Sequence, residues 1–156
     1  MSTHRAKRKY TADPMAMFRV LGKVQLFTEA EQATLNLPVR LAFEALRTRT
    51  AAEGDFHTLA AAVNIAMVCA EKIDPVVERS CIAARDAMQR VFERHTATGQ
   101  WGLDGPAFAE IEQAVEIYEQ LNALLPAGQV KDALEECYRR IATGDVIQCQ
   151  PEGIPA

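Results

Sequence analysis

The sequence contains no apolar run approaching the ~20 residues that cross a bilayer. Its longest candidate, Leu59 to Ala70, is too short and is interrupted by Asn64. The N-terminus is basic, but no apolar segment of signal-peptide type follows it, so the expected location is the cytoplasm. The four cysteines, Cys69, Cys81, Cys137 and Cys149, include no C-x-x-C pair, and no histidine lies within a few residues of the last three. Free cysteines of this kind act as small core hydrophobes. The alternative, a zinc site, would have to be assembled from distant Cys and His. There is no G-x-S-x-G, no P-loop, no G-x-G-x-x-G and no H-E-x-x-H. The sequence therefore implies no catalytic residue, no metal ligand and no cofactor, and the expectation is a protein that is not an enzyme. Internal repeats and convincing strand runs are also missing.

What is present suits one domain. The 156 residues are 49% hydrophobic and 24% charged, an ordinary globular balance. Charge is unevenly placed. Arg5, Lys7, Arg8 and Lys9 fall in the first ten residues with no acid among them, so the rest is more acidic than the net charge of −4 suggests. An acidic body disfavours broad contact with a phosphate backbone. The sequence predicts a flexible basic arm over 1–12, a helical bundle over 13–144 and an irregular tail over 145–156.

Helix punctuation is frequent. Asp13-Pro14 predicts a first helix to about Leu21, stopped by Gly22. Thr28 and Glu31 form a T-x-x-E capping box for a second helix. Its stripe is Leu35, Val39, Ala42, Phe43 and Leu46, and Pro38 predicts a kink or break near Asn36. Asp55 is expected to cap a third helix, Phe56 to about Lys72. That segment is apolar almost all round, which predicts a buried central helix with Asn64 as its one amide. Asp74-Pro75 and Gly99 bracket a fourth, with Val77, Cys81, Ala84, Met88, Val91 or Phe92, and His95 inward. Asp86 and Arg90 should pair on its outer side. A fifth runs from Pro106 to Leu125-Pro126 and buries Phe108, Ile111, Val115, Tyr118 and Leu121. A sixth covers about Gln129 to Ala142, with Val130, Leu134, Cys137 or Tyr138, and Ile141 inward, and with Glu135–Arg139 and Glu136–Arg140 pairs. The expected fold is all-α, a compact bundle of about six helices around the third.

Four features are candidates for function. Arg5, Lys7, Arg8, Lys9 and Tyr10 could reach a phosphate backbone, with Tyr10 stacking on a base; a solvated terminus is the plainer reading. Glu112, Glu116 and Glu119 lie at steps of four and three on the outer side of the fifth helix and could meet a basic partner, although exposed helix faces are commonly acidic. Trp101, the single tryptophan, sits in the glycine-rich loop 99–105. It either folds back onto the bundle or anchors an interface. His57 and His95 are the two histidines outside the arm and lie in no recognised catalytic motif; a polar surface residue and a satisfied helix-end residue are the plain readings.

Lys7-Arg8-Lys9-Tyr10, the stretch Gly54-Asp55-Phe56-His57-Thr58-Leu59-Ala60-Ala61-Ala62-Val63-Asn64, and Thr98-Gly99-Gln100-Trp101-Gly102-Leu103-Asp104-Gly105-Pro106 resemble a family of small phage- and prophage-encoded helical proteins of proteobacteria. The resemblance spans about residues 7 to 143 and rests on structural punctuation, so it transfers no site residue. It implies a phage accessory protein in the cytoplasm of a bacterial host. The leading expectation is a non-enzymatic binder that inhibits a host protein or ribonucleoprotein, such as a CRISPR-Cas or other antiviral defence complex. The second is a nucleic-acid binder or regulator using the arm, and the third an enzyme of unfamiliar type. No membrane partner is implied, and a homodimer is compatible with all three.

Overall fold

Thr28 starts the first described helix as its spacing demands. Its hydroxyl accepts from the Glu31 amide at 3.3 Å, and the Glu31 carboxylate accepts from the Thr28 amide at 2.8 Å. The computed structural model describes residues 24–144. Among them are five helices: α1 (Glu29–Thr48), α2 (Glu53–Ala70), α3 (Pro75–Thr98), α4 (Gly105–Leu124) and α5 (Ala127–Ile141). The only strand-like feature among the described residues is an isolated antiparallel bridge between Leu26 and Pro126. The described residues form an all-helical bundle, and these five helices correspond to the second to sixth of the expected six. The helix predicted over 14–21, the arm 1–12 and the tail 145–156 lie outside the described residues.

Three expectations about individual helices change. α1 runs unbroken through Pro38. A proline removes one ladder bond, but Val39, Ala42, Phe43 and Leu46 are buried on the following turns and hold the helix against its neighbours. Asn36 marks no break; its side-chain oxygen accepts from Asn122 Nδ2 on α4 at 2.8 Å. α2 starts earlier than predicted, with Ala52 as N-cap. Asp55 works from inside the first turn, accepting from the Ala52 amide at 2.8 Å. α2 packs against each of the other four described helices. It is not closed to water on every side, because Gly54 and Ala61 are exposed and Thr58 and Ile65 half-buried on one narrow stripe. These outward residues are small or apolar, so the composition of α2 conceals the stripe.

The core follows the heptad-like spacing with local exchanges. On α3, Val91 is buried and Phe92 is 44% exposed, and Ala87 joins Cys81, Ala84 and Met88 inside. On α5 the inward positions are Val130, Ala133 and Cys137, whereas Leu134 and Tyr138 face out. The predicted Asp86–Arg90 pair is absent. Arg90 reaches Glu110 on α4 at 2.5 Å, and Asp86 pairs with neighbouring Arg85 at 2.9 Å. Arg140 does pair with Glu136 at 2.8 Å and also crosses to Glu71, but Arg139 takes Glu136 rather than Glu135. A long side chain beside a second helix finds carboxylates there that no single-helix rule can see.

Candidate partner-binding surface

α1 has two apolar faces. Val39, Ala42, Phe43 and Leu46 point into the bundle. Ala30, Thr34, Leu37 and Leu41, at steps of four, three and four, form a ridge on the opposite side. Leu37 and Leu41 are 60% and 61% exposed. At the N-terminal end of the ridge a cleft of about 300 Å³ is lined by Phe27, Ala30, Glu31, Thr34 and Leu35. An isolated exposed leucine is ordinary, but two in register beside an apolar cleft form a patch of the kind that binds partners.

One flank of the ridge is charged. Arg40, between Leu37 and Leu41 in sequence, forms a two-pronged pair with Glu119 of α4, Nε to Oε1 at 2.6 Å and Nη2 to Oε2 at 2.7 Å. The Glu119 hydrogen bonds hold the Arg40 pKa above its ordinary value, and the charges of Glu119, Glu116 and Glu112 add to the effect. The three predicted acids therefore gather along the α1–α4 seam. Glu119 is engaged by Arg40, Glu112 is half-buried and Glu116 is exposed. The result is an apolar ridge with an acidic border, in which one of the three carboxylates is already neutralised within the chain.

Below this seam lies a buried amide. Asn122 is fully enclosed; its Nδ2 donates to Asn36, and its Oδ1 has no hydrogen-bond partner. Tyr118 is buried beside it. Burial raises the tyrosine pKa, and a hydrogen bond with Asn122 acts in the opposite sense. Paired amides between helices fix their register at some cost in stability, so the pair aligns α1, and with it the ridge, on α4.

Trp101 does not lie on the surface. It is 8% exposed, with one face stacked on Phe56 (ring centroids 4.7 Å apart) and the other on His95 (3.6 Å, planes 3° apart). As an anchor it fastens the α3–α4 loop to its own bundle. His57 meets the Phe56 ring edge-on, 5.9 Å away ring to ring, and its Nε2 is 3.3 Å from Glu53 Oε1. The two histidines thus border an aromatic cluster. Cys69, Cys81 and Cys137 are free and buried, and burial pushes their thiols up to about 11, 12 and 11. Such thiols are poor nucleophiles at neutral pH. Among the described residues no group of three or more His, Cys, Asp or Glu could hold a metal ion, and no helix is long and apolar enough to cross a membrane. Arg5, Lys7, Arg8, Lys9, Tyr10 and Cys149 lie outside the described residues.

No protein-family model, no curated protein and no solved structure matches the chain. Its surfaces must be interpreted from their own chemistry. Two features escaped the sequence reading. The Leu37–Leu41 ridge was legible as a second apolar spacing on α1, hidden by the stronger inner stripe. Arg49, which lies against Gly102 of the α3–α4 loop, left no local signal.

Proposed function

We propose that this is a non-enzymatic binding protein, phage-encoded and acting in the cytoplasm of a bacterial host, that inhibits a host protein or ribonucleoprotein such as an antiviral defence complex. The observation that carries the binding role is the outward ridge of α1 with its acidic border. Leu37 and Leu41 supply apolar area at the centre, and Glu116 and Glu112 supply negative charge at the edge. A partner that fits has a small apolar patch rimmed by Lys or Arg, as at the mouth of a nucleic-acid channel. Complementary rims raise the encounter rate and set orientation, and the apolar centre supplies most of the holding energy. The phage and host setting comes from the resemblance alone. Burial of the three described thiols, which raises their pKa values, favours binding over thiol-based covalent chemistry.

The test is capture from bacterial lysate with the full chain and with Leu37→Glu/Leu41→Glu. Support requires one defined protein or ribonucleoprotein retained by the parent, lost by the double variant and weakened by Glu112→Lys/Glu116→Lys. Retention by the double variant would overturn the reading. So would recovery of nucleic acid alone that disappears when residues 1–10 are removed, a result that would instead favour the basic arm.

A further inference from the structure

A second feature, remote in chemistry from the α1 ridge, lies where the ends of α1 and α3 meet the α3–α4 loop. Arg49 follows α1 with φ 61°, and it is the only non-glycine residue with positive φ among the described residues. This left-handed position is normally taken by glycine or asparagine. Here it swings the arginine stem flat over Gly102. A Cβ on Gly102 would stand 3.3 Å from Arg49 Cγ and 3.6 Å from Nε. Arg94 of α3 reaches the same place. It donates to the Gly102 carbonyl at 3.3 Å and pairs with Asp104. Both arginines line one cleft of about 130 Å³, together with Thr98, Gln100, Trp101 and Gly102.

Two guanidiniums in one small cleft repel each other, and only one carboxylate answers them. Asp104 is held by Arg94 and also caps α4, accepting from the Ala107 amide at 2.8 Å. Arg49 pairs with no carboxylate among the described residues. Nor are the two arginines needed to close the helix ends. The Arg49 and Thr50 amides take the Leu46 and Ala45 carbonyls at 3.3 and 2.9 Å. The Thr98 hydroxyl takes the Arg94 carbonyl at 2.8 Å, and the Gly99 amide takes that of His95 at 2.7 Å. The guanidinium of Arg49 therefore remains available, with a strained backbone and a bare glycine both placing it there.

We infer that the Arg49–Arg94 cleft is a binding site for a phosphate-type oxyanion. Arginine is the side chain suited to planar, multi-pronged contact with phosphate oxygens. The cleft has room for roughly four waters at about 30 Å³ each, which matches one tetrahedral oxyanion. A whole nucleotide needs a pocket of about 300 Å³ or more, so only its phosphate would enter. The ligand is thus free phosphate or the phosphate of a mononucleotide whose sugar and base stay outside. Trp101, the chain's one tryptophan, lines the cleft and reports on its occupancy.

Trp101 fluorescence is followed during titration with inorganic phosphate and with AMP, at ionic strength held constant with chloride. Calorimetry on the same samples gives the stoichiometry. Saturable binding of one anion per chain is expected, weakened about tenfold or more in Arg49→Gly. AMP binding no tighter than phosphate identifies the free ion as sufficient; tighter AMP binding identifies the mononucleotide. Because the Arg49 backbone is left-handed, Arg49→Gly should fold and melt at a higher temperature than the parent, so loss of binding there is separable from loss of structure. Gly102→Ala, which displaces the Arg49 stem, should also weaken binding. Absence of saturable binding to either anion overturns the inference, as does equal binding by Arg49→Gly. A lower melting temperature in Arg49→Gly would show that the arginine is held for structure and would likewise overturn it.

Discussion

Several side chains here serve two neighbours at once. Asp104 caps α4 through Ala107 and fixes Arg94, so one carboxylate joins the loop, α3 and α4. The Ala107 amide chiefly, with Arg94, holds its pKa below the usual aspartate range near about 4. A carboxylate with a lowered folded-state pKa stabilises fully above its unfolded value and loses that contribution as pH falls through the folded one. Asp104→Ala should therefore cost about 1 kcal/mol at neutral pH, a typical N-cap value. The cost should shrink below about pH 4, as urea melts at two pH values would show. Trp101→Ala should cost more, about 3–5 kcal/mol, because it removes a large buried ring from between Phe56 and His95. An equal denaturation midpoint for parent and variant would refute the stacked arrangement. Arg49→Gly should raise stability by about 0.5–1 kcal/mol by relieving the left-handed backbone.

At the scale of the element, α1 differs from the other helices in how its two faces are used. The inner face is fixed by Phe43 and Leu46, and the outer ridge contributes little to folding because Leu37 and Leu41 are already in water. Leu37→Glu/Leu41→Glu should change unfolding free energy by less than about 0.5 kcal/mol per site while abolishing partner capture. A large loss of stability would show that the ridge is covered within the chain. The capping box at Thr28 gives a contrasting case: Thr28→Ala should cost about 1 kcal/mol and fray the first turn, with no effect beyond α1. Here the sequence was a reliable guide. T-x-x-E, Asp-Pro and Gly signals marked helix ends within a few residues, because each satisfies backbone groups locally. It misled at Pro38, where tertiary packing outweighs one missing donor.

For the whole molecule, α2 ties the bundle together by touching every other described helix, and its last turns carry Cys69 against a core that also encloses Cys81 and Cys137. These thiols should react only when the bundle opens globally. In a Cys149→Ser chain, a thiol reagent at pH 8 should modify none of the three over hours, and all three at once in denaturant. Rapid modification of one under native conditions would reveal local opening at its helix.

The sequence alone determined that this chain is helical, where most helices begin and end, and which stripes turn inward. Those outcomes depend on hydrogen bonds and apolar spacing within a few residues. The tertiary structure decided what the charged and aromatic groups do. It drew Glu119 onto Arg40, Arg90 onto Glu110 and Trp101 between Phe56 and His95, and it laid Arg49 across Gly102. Each of these contacts joins separate helices or a helix and a distant loop, and their geometry depends on how the helices pack, which no local spacing encodes.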